Sequence, residues 1–269
     1  MKQNYLNTLL VFFASLLLSG SVLAASYRVS PLTINFGQEE PGYAGPDNSR
    51  TLTIKNEDAR PLYLSLDVKK VINPGRKDEA FVSQSDMDPK KFGLVLNNTK
   101  LIIPPGQERT LVVMSLMDSA QLDQDATYRI VTTPMQSSRF LSEATEGVAS
   151  GVAMVLQYGI HVFVPPENPD DSVRFAQNGS RVSLSHTGNS FNSVSNVYYC
   201  PLSTDVSNIT REYQHNNLDT IRDQFKCQRT AGAGFLHVGQ ELTYDIPEGK
   251  KLVLIMYNHG KRKARGFVS

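Results

Sequence analysis

The sequence lacks long apolar runs, apart from one N-terminal stretch from Leu9 to Leu18. That stretch is well short of the roughly 20 residues that a membrane-spanning helix needs. Lys2 precedes it and a small-residue pattern ending at Ala24 follows it, which is typical of a secretory signal peptide. We therefore expect residues 1–24 to be cleaved and the remaining chain to be exported without inserting into a membrane.

The sequence also has no marked excess of charge of either sign, and it has few cysteines. With 27 basic and 26 acidic residues, the net charge of +1 gives no indication of a nucleic acid or an anionic membrane as partner. The two cysteines, Cys200 and Cys227, should meet an oxidising compartment, where thiols usually pair. We predict a disulfide worth about 3 kcal/mol; two buried free thiols are the alternative.

Motifs for catalysis, metals and cofactors are absent from the sequence. None of the five histidines has metal-site spacing with another histidine or a cysteine. There is no nucleophile elbow and no phosphate loop, and Gly232-Ala233-Gly234 lacks the third glycine of a dinucleotide fingerprint. We predict no enzyme activity and no cofactor; the alternative is a secreted hydrolase whose catalytic residues are dispersed along the sequence and form no motif.

What is present is a recurring period-2 pattern, punctuated by Gly, Pro, Asn and Asp. Residues from Leu62 to Val68 alternate in this way, and the turn at 73–75 stops them. The nearly all-apolar stretch from Thr110 to Leu116 predicts a strand covered on both faces, and 201–234 is expected to be irregular. Many short strands of this kind predict an all-β chain built as a β-sandwich.

A proline-rich linker divides the chain. Three prolines between Pro165 and Pro169 make a short, stiff connection. The length after cleavage is sufficient for two cores. We predict an N-terminal domain over 25–165 and a C-terminal β-sandwich domain, which holds both cysteines, over 170–269.

The most informative segment directly precedes this linker. Its even positions are apolar or aromatic over thirteen residues, against a usual strand length of about 5–6. An apolar edge strand of this kind invites pairing with a partner by β-augmentation, or self-association of the free chain. A central strand buried on both faces is the alternative. The positions are Val152, Met154, Leu156, Tyr158, Ile160, Val162 and Val164.

In their order along the chain, these features resemble the PapD-like periplasmic chaperones of the chaperone–usher pathway. The resemblance rests on a first strand ending at Phe36-Gly37, the segment from Leu94 to Gln107, Tyr128-Arg129-Ile130, and the alternating strand that ends in proline. The segment from Lys69 to Gly75 looks most like the alternate class, which serves colonisation-factor and common pili.

The resemblance implies two immunoglobulin-like β-sandwich domains with an inter-domain cleft, in a protein of the periplasm. Val152, Met154, Leu156 and Tyr158 would be lent as a donor strand to a pilin subunit that lacks its own final strand. An outer-membrane usher would then receive the complex, without ATP or any cofactor. The alternative is a structural subunit or adhesin of a surface fibre. The short segment before the first strand argues against it, because a pilin carries an alternating N-terminal extension.

One departure from the family concerns the subunit's terminal carboxylate. In better-known members, an arginine on the first strand and a lysine on a later strand anchor it. The resemblance places Thr33 and His161 at those positions, and neither carries a fixed positive charge at neutral pH. Arg129 is the predicted replacement, because a guanidinium grips a carboxylate with two bonds; a surface arginine is the alternative. His161 would contribute more strongly when protonated.

Overall fold

A computed structural model describes residues 26–37, 45–135, 156–258 and 261–268. The predicted signal peptide, 1–24, lies outside these ranges. Within them, no helix has the length and apolar character needed to cross a membrane. Two sheets are drawn from residues 27–164 and two from 173–268. The prediction of an all-β chain with two sandwiches is therefore confirmed, and the boundaries 25–165 and 170–269 stay predictions.

The first sandwich packs two sheets together. One has the order β1-β3-β8-β6, and the other has the order β2-β10-β9-β4-β5 with β7 beside β4. A short helix, α1 (Pro89–Phe92), and 3-10 turns at Gln84–Asp86 and Ser119–Gln121 connect them. The strands are β1 (Tyr27–Ser30), β2 (Thr33–Asn35), β3 (Ser49–Asn56), β4 (Leu62–Ile72), β5 (Ala80–Ser83), β6 (Leu94–Leu96), β7 (Lys100–Ile103), β8 (Glu108–Ser115), β9 (Ala126–Pro134) and β10 (Tyr158–Val164).

A single apolar core fills this sandwich, and alternating positions of each strand supply it. On β8, Leu111 and Val113 are buried, whereas Met114 is 38% exposed. The prediction that 110–116 is covered on both faces is therefore wrong. Apolar composition does not reveal whether a second element lies on the other face, and single exposed apolar side chains are common.

The first strand of the sequence is divided between the two sheets. β1 pairs antiparallel with β3, while β2 pairs parallel with β10 in the opposite sheet. The chain crosses over at Pro31, whose ring nitrogen has no hydrogen to donate to a ladder. This crossing brings β2 alongside the end of β10, where it borders residues His161 to Phe163.

The second sandwich packs a sheet of order β11-β12-β16 against one of order β14-β13-β17-β18, with β15 beside β13. Two helices, α2 (Val206–Gln214) and α3 (Leu218–Asp223), follow β13. The strands are β11 (Val173–Asn178), β12 (Arg181–His186), β13 (Asn192–Pro201), β14 (Gln228–Thr230), β15 (Gly234–Leu236), β16 (Glu241–Asp245), β17 (Lys250–Asn258) and β18 (Lys261–Val268).

The helices show that the prediction of an irregular stretch over 201–234 is wrong. Val206, Ile209 and Tyr213 recur at helical spacing on α2 and pack in one apolar cluster. Asp205 caps the helix by accepting a hydrogen bond from the Ser207 amide at 2.9 Å. The predicted disulfide is confirmed: Cys200 and Cys227 are bonded in the same cluster, with their Sγ atoms 2.07 Å apart.

Candidate functional site

Four polar side chains form a row across neighbouring strands of the larger N-terminal sheet. His161 on β10 lies opposite Thr33 on β2 and opposite Arg129 on β9, and Arg129 lies opposite Lys69 on β4. At least one sequence neighbour of each residue is buried in the core, so these four occupy the outer face; these neighbours are Ile34, Val68, Tyr128, Ile130, Ile160 and Val162. The structure thus brings the three predicted anchor residues together, and we call Thr33, His161, Arg129 and Lys69 the cross-strand row.

Arg129 is the residue of this row best suited to bind an anion. Its aliphatic stem runs across Gly159, where an added Cβ would lie 3.5 Å from Arg129 Cδ. Its Cζ lies 5.3 Å from the ring centroid of Phe81. The Nε is buried without a hydrogen-bond partner, and no ion pair involves Arg129 in the described ranges. A guanidinium in this state can bind a carboxylate with two bonds.

His161 and Thr33 supply the row with hydrogen-bonding groups but no fixed charge. Burial lowers the pKa of His161 below its ordinary value, nearby Arg129 lowers it further, and Glu79 acts in the opposite direction. The imidazole is therefore neutral at neutral pH. Thr33 is exposed, and its hydroxyl both donates and accepts.

Lys69 is the member of the row that the sequence did not predict. Its Nζ lies 3.5 Å from Asp67 Oδ2, in a half-exposed pair. Finding it would require knowing that residue 69 pairs with residue 129, and no local pattern in the sequence gives this register.

The cross-strand row ends at a joint between the two sandwiches. Phe163 is fully buried although it is on the outer face of β10, because it stacks on Phe191 with ring centroids 3.7 Å apart. Phe235 of β15 lies 4.7 Å from His161 and 5.1 Å from Phe163, measured between ring centroids. His237 completes this group. We call Phe163, Phe191, Phe235 and His237 the aromatic joint.

The start of β10 has an open side. β9 borders all of β10, but β2 borders it only from His161 onward, so the earlier part has one neighbouring strand among the described residues. Leu156 precedes the strand and is 48% exposed, while Tyr158 is half-buried. Val152 and Met154, also predicted for the donor strand, lie outside the described residues.

This arrangement of two β-sandwiches is the fold of the chaperones of the chaperone–usher pathway, because solved structures of that class match it over almost the whole chain. Salmonella enterica SafA pilin in complex with the SafB chaperone gives a TM-score of 0.55 at 10% identity, covering 93% of this chain and 99% of that one. The E. coli chaperone DraB gives 0.53 at 13%, covering 91% and 99%.

A third match is a chaperone–tip adhesin complex of CFA/I fimbriae biogenesis, with a TM-score of 0.51 at 16% identity, covering 91% of this chain and 98% of that one. No family model and no curated protein sequence matches the chain. At identities this low, the comparisons establish the fold.

Proposed function

We propose that this chain is a periplasmic chaperone that binds pilin subunits by donor-strand complementation and delivers them to an outer-membrane usher. The observation that carries the proposal is the cross-strand row, in a chain with the fold of pilus chaperones. Beside the open start of β10 it holds a guanidinium that makes no ion pair with any described residue. A protein acting in this way needs neither a cofactor nor a catalytic residue.

In this proposal, Val152, Met154, Leu156 and Tyr158 are the donor residues. Two observations support the assignment: the side chain of Leu156 is exposed, and early β10 has one strand neighbour among the described residues. Burying one large apolar side chain in a subunit contributes about 1.5–3 kcal/mol. A few such side chains therefore stabilise an incomplete subunit substantially, and the same edge offers the free chain a route to self-association.

The subunit's terminal carboxylate would bind at the cross-strand row. Arg129 supplies the charge and two parallel N–H groups, while Thr33 and neutral His161 supply hydrogen bonds. The half-buried position of Arg129 favours this role over a surface arginine, because a charge-assisted bond is stronger where water is partly excluded.

Two of the matching structures bear on the choice of partner. One contains a pilin with a chaperone, and another contains a tip adhesin with a chaperone. Subunits of those two kinds are the partners we propose for this chain. The proposed periplasmic location and export rest on the predicted signal peptide over 1–24.

The first experiment is co-expression with pilin subunits of the organism that makes this chain. The chain is expressed with each subunit in a periplasm, and soluble 1:1 complex is measured. We expect wild type to rescue a subunit and Leu156→Glu to lose the rescue. Leu202→Glu is the matched control, because Leu202 is 51% exposed in the second sandwich. Equal rescue by Leu156→Glu would refute the donor-strand role, and no rescue of any subunit would favour the fibre-subunit alternative.

A second experiment tests the anchor. We expect Arg129→Ala to weaken the purified complex about tenfold to a hundredfold, since a hydrogen bond to a charged group is worth about 1.5–3 kcal/mol. Arg129→Lys should fall between Ala and wild type, because lysine keeps the charge but loses the two-bond geometry. Arg181→Ala is the control, an arginine whose side chain is 66% exposed in the second sandwich. Unchanged affinity for Arg129→Ala would place the anchor elsewhere.

A further inference from the structure

Two tyrosines tie the start of β10 to the first strand of the opposite sheet. Their rings meet edge to face, with centroids 4.9 Å apart. The Tyr158 hydroxyl donates to the Tyr27 carbonyl oxygen at 2.8 Å. In the reverse direction, the Tyr27 hydroxyl donates to the Leu156 carbonyl oxygen at 2.9 Å. β1 and the residues that begin β10 are therefore linked twice, although they belong to different sheets.

Thr132 on β9 completes this network. Its Oγ1 is buried, accepts a hydrogen bond from the Tyr158 amide at 3.2 Å and lies 2.8 Å from Tyr27 Oη. Because the single hydroxyl proton of Tyr27 goes to Leu156, Thr132 must be the donor to Tyr27. The bonds then run in one direction, from the Tyr158 amide through the two hydroxyls to the Leu156 carbonyl.

The environment keeps this chain of bonds intact. Burial raises the pKa of Tyr27 above its ordinary value, and the bond to Thr132 only partly opposes that effect. The phenol is therefore protonated at neutral pH, and it remains a donor to Leu156.

The network lies where the side chains of β10 change surroundings. From Ile160 onward, the even-numbered residues are fully buried in the chain's own core, and Tyr158 packs against that core. Leu156 has the same parity, but it is 48% exposed. Its carbonyl already accepts a hydrogen bond from Tyr27, so a strand that paired at this oxygen would have to share it with the phenol.

We propose that Tyr27, Thr132 and Tyr158 form a clasp that ends the donated segment at Leu156 and fixes its register. The proposal rests on the proposed function and changes one part of it, because Tyr158 becomes a positioning residue that stays in its own core. Register matters because a slip of one residue turns every side chain of a strand to the opposite face. A fixed end at Leu156 decides which side chains a subunit meets.

The clasp is first tested in the free chain, where no subunit is needed. Amide hydrogen exchange is measured by NMR at Gln157 and Tyr158 in Tyr27→Phe, Tyr158→Phe and Tyr128→Phe. The last is a matched control, because it removes a buried hydroxyl of the same sandwich, bonded to the Phe92 carbonyl at 2.6 Å, away from Leu156. We expect exchange about tenfold faster in the first two than in the control, the effect of losing a hydrogen bond. Equal rates in all three would overturn the clasp.

Register is tested with a pilin that wild type rescues. The amount of rescued pilin is compared between Leu156→Glu and Gln157→Glu in two backgrounds. One is wild type, and the other carries both Tyr27→Phe and Tyr158→Phe. In the wild-type background, we expect Leu156→Glu to lose rescue and Gln157→Glu to keep it. Without the two tyrosine hydroxyls, the difference in rescued subunit between the two glutamate variants should shrink at least severalfold, which corresponds to a hydrogen bond of about 1 kcal/mol. An undiminished difference would overturn the register claim.

The two tests separate this inference from the proposed function. If wild type rescues no pilin, the proposed function fails, while hydrogen exchange still decides whether the tyrosines hold Leu156. If rescue succeeds and exchange at Tyr158 matches the Tyr128→Phe control, the clasp fails and the chaperone proposal stands.

Discussion

The two sandwiches differ in what covers the outer face of their larger sheet. In the second sandwich, the chain covers that face itself: α2 and α3 pack Ile209 and Ile221 against Val253 of β17, beside the disulfide. In the first, the corresponding face carries the cross-strand row. Its buried residues, Phe163, Thr127 and Val71, lie together at one end, where Phe163 stacks on Phe191 of the other sandwich. A sheet that the chain buries on both faces serves stability, whereas a half-open face is the one that the proposed function assigns to a partner.

Removing the disulfide tests this comparison with the largest expected effect. We expect Cys200→Ser combined with Cys227→Ser to lower the free energy of unfolding of the second sandwich by about 2–5 kcal/mol. Amide exchange at Val253, under the helices, should then accelerate far more than at Val113 in the first core. Equal acceleration at both sites would show that the two sandwiches unfold as one unit and would weaken the comparison.

The helical cover can also be tested residue by residue. Ile209 on α2 is fully buried, so we expect Ile209→Ala to cost about 2–5 kcal/mol, from lost burial and the cavity that remains. Leu218 on α3 is 41% exposed, and Leu218→Ala should change the free energy of unfolding by less than about 0.5 kcal/mol. Urea unfolding measures both. Similar losses of unfolding free energy in the two variants would mean that α2 and α3 do not bury this face of the sheet as described.

Acid should weaken the aromatic joint through His237. Burial lowers the pKa of this imidazole from 6.5 to about 4, although Glu79 opposes the shift. The unfolded chain takes up the proton first, so the free energy of unfolding falls as pH drops from about 6.5 towards 4. We expect His237→Gln to remove about 2 kcal/mol of that loss at pH 5. The check is urea unfolding at pH 7.5 and pH 5; parallel pH dependence in the two proteins would contradict it.

Asp125 provides a control of opposite sign at the same joint. It accepts a hydrogen bond from the Phe191 amide, and burial raises its pKa from 3.8 to about 6. Here the folded chain takes up the proton first, so the free energy of unfolding rises as pH falls from about 6 towards 4. At pH 5 this gain in the free energy of unfolding is about 1 kcal/mol, and the Asp125→Asn protein should lack it.

The smallest expected effect concerns the stacked pair that joins the sandwiches. A double-mutant cycle of Phe163→Leu and Phe191→Leu should give a coupling energy of about 0.5–1.5 kcal/mol, the usual range for aromatic pairs. Phe175→Leu and Phe267→Leu form the control cycle, a looser pair with centroids 5.5 Å apart within the second sandwich. Zero coupling at Phe163 would mean that the joint is held by other contacts.

Several of these features were predictable from the sequence and several were not. Strict alternation gave the all-β class, and two cysteines in an exported chain gave the disulfide. The helices over 206–223 were missed because each is short and buries little, with Ile209 and Ile221 the only buried residues that they contribute. Helical periodicity needs a longer window to stand out.

The candidate site likewise contains residues that the sequence could indicate and residues that it could not. Thr33, His161 and Arg129 could be named from the sequence because strand ends and a family resemblance fix their positions along the chain; the structure places them side by side, and their anchoring role stays a prediction. Lys69, Tyr27 and the network through Thr132 were missed, because they depend on register and on contacts between sheets. Such contacts join residues distant in sequence, and a local pattern carries no information about them.

The cross-strand row also has a kinetic meaning. Its four residues come from strands widely separated along the chain, and Thr33 meets His161 only when β2, near the N-terminus, has added to β10. Pairings between such distant segments form late, because a large loop must close before the contacts can stabilise it. A nascent or half-folded copy therefore has no complete cross-strand row. Under the proposed function, the ability to bind a subunit would therefore depend on completion of the protein's own fold.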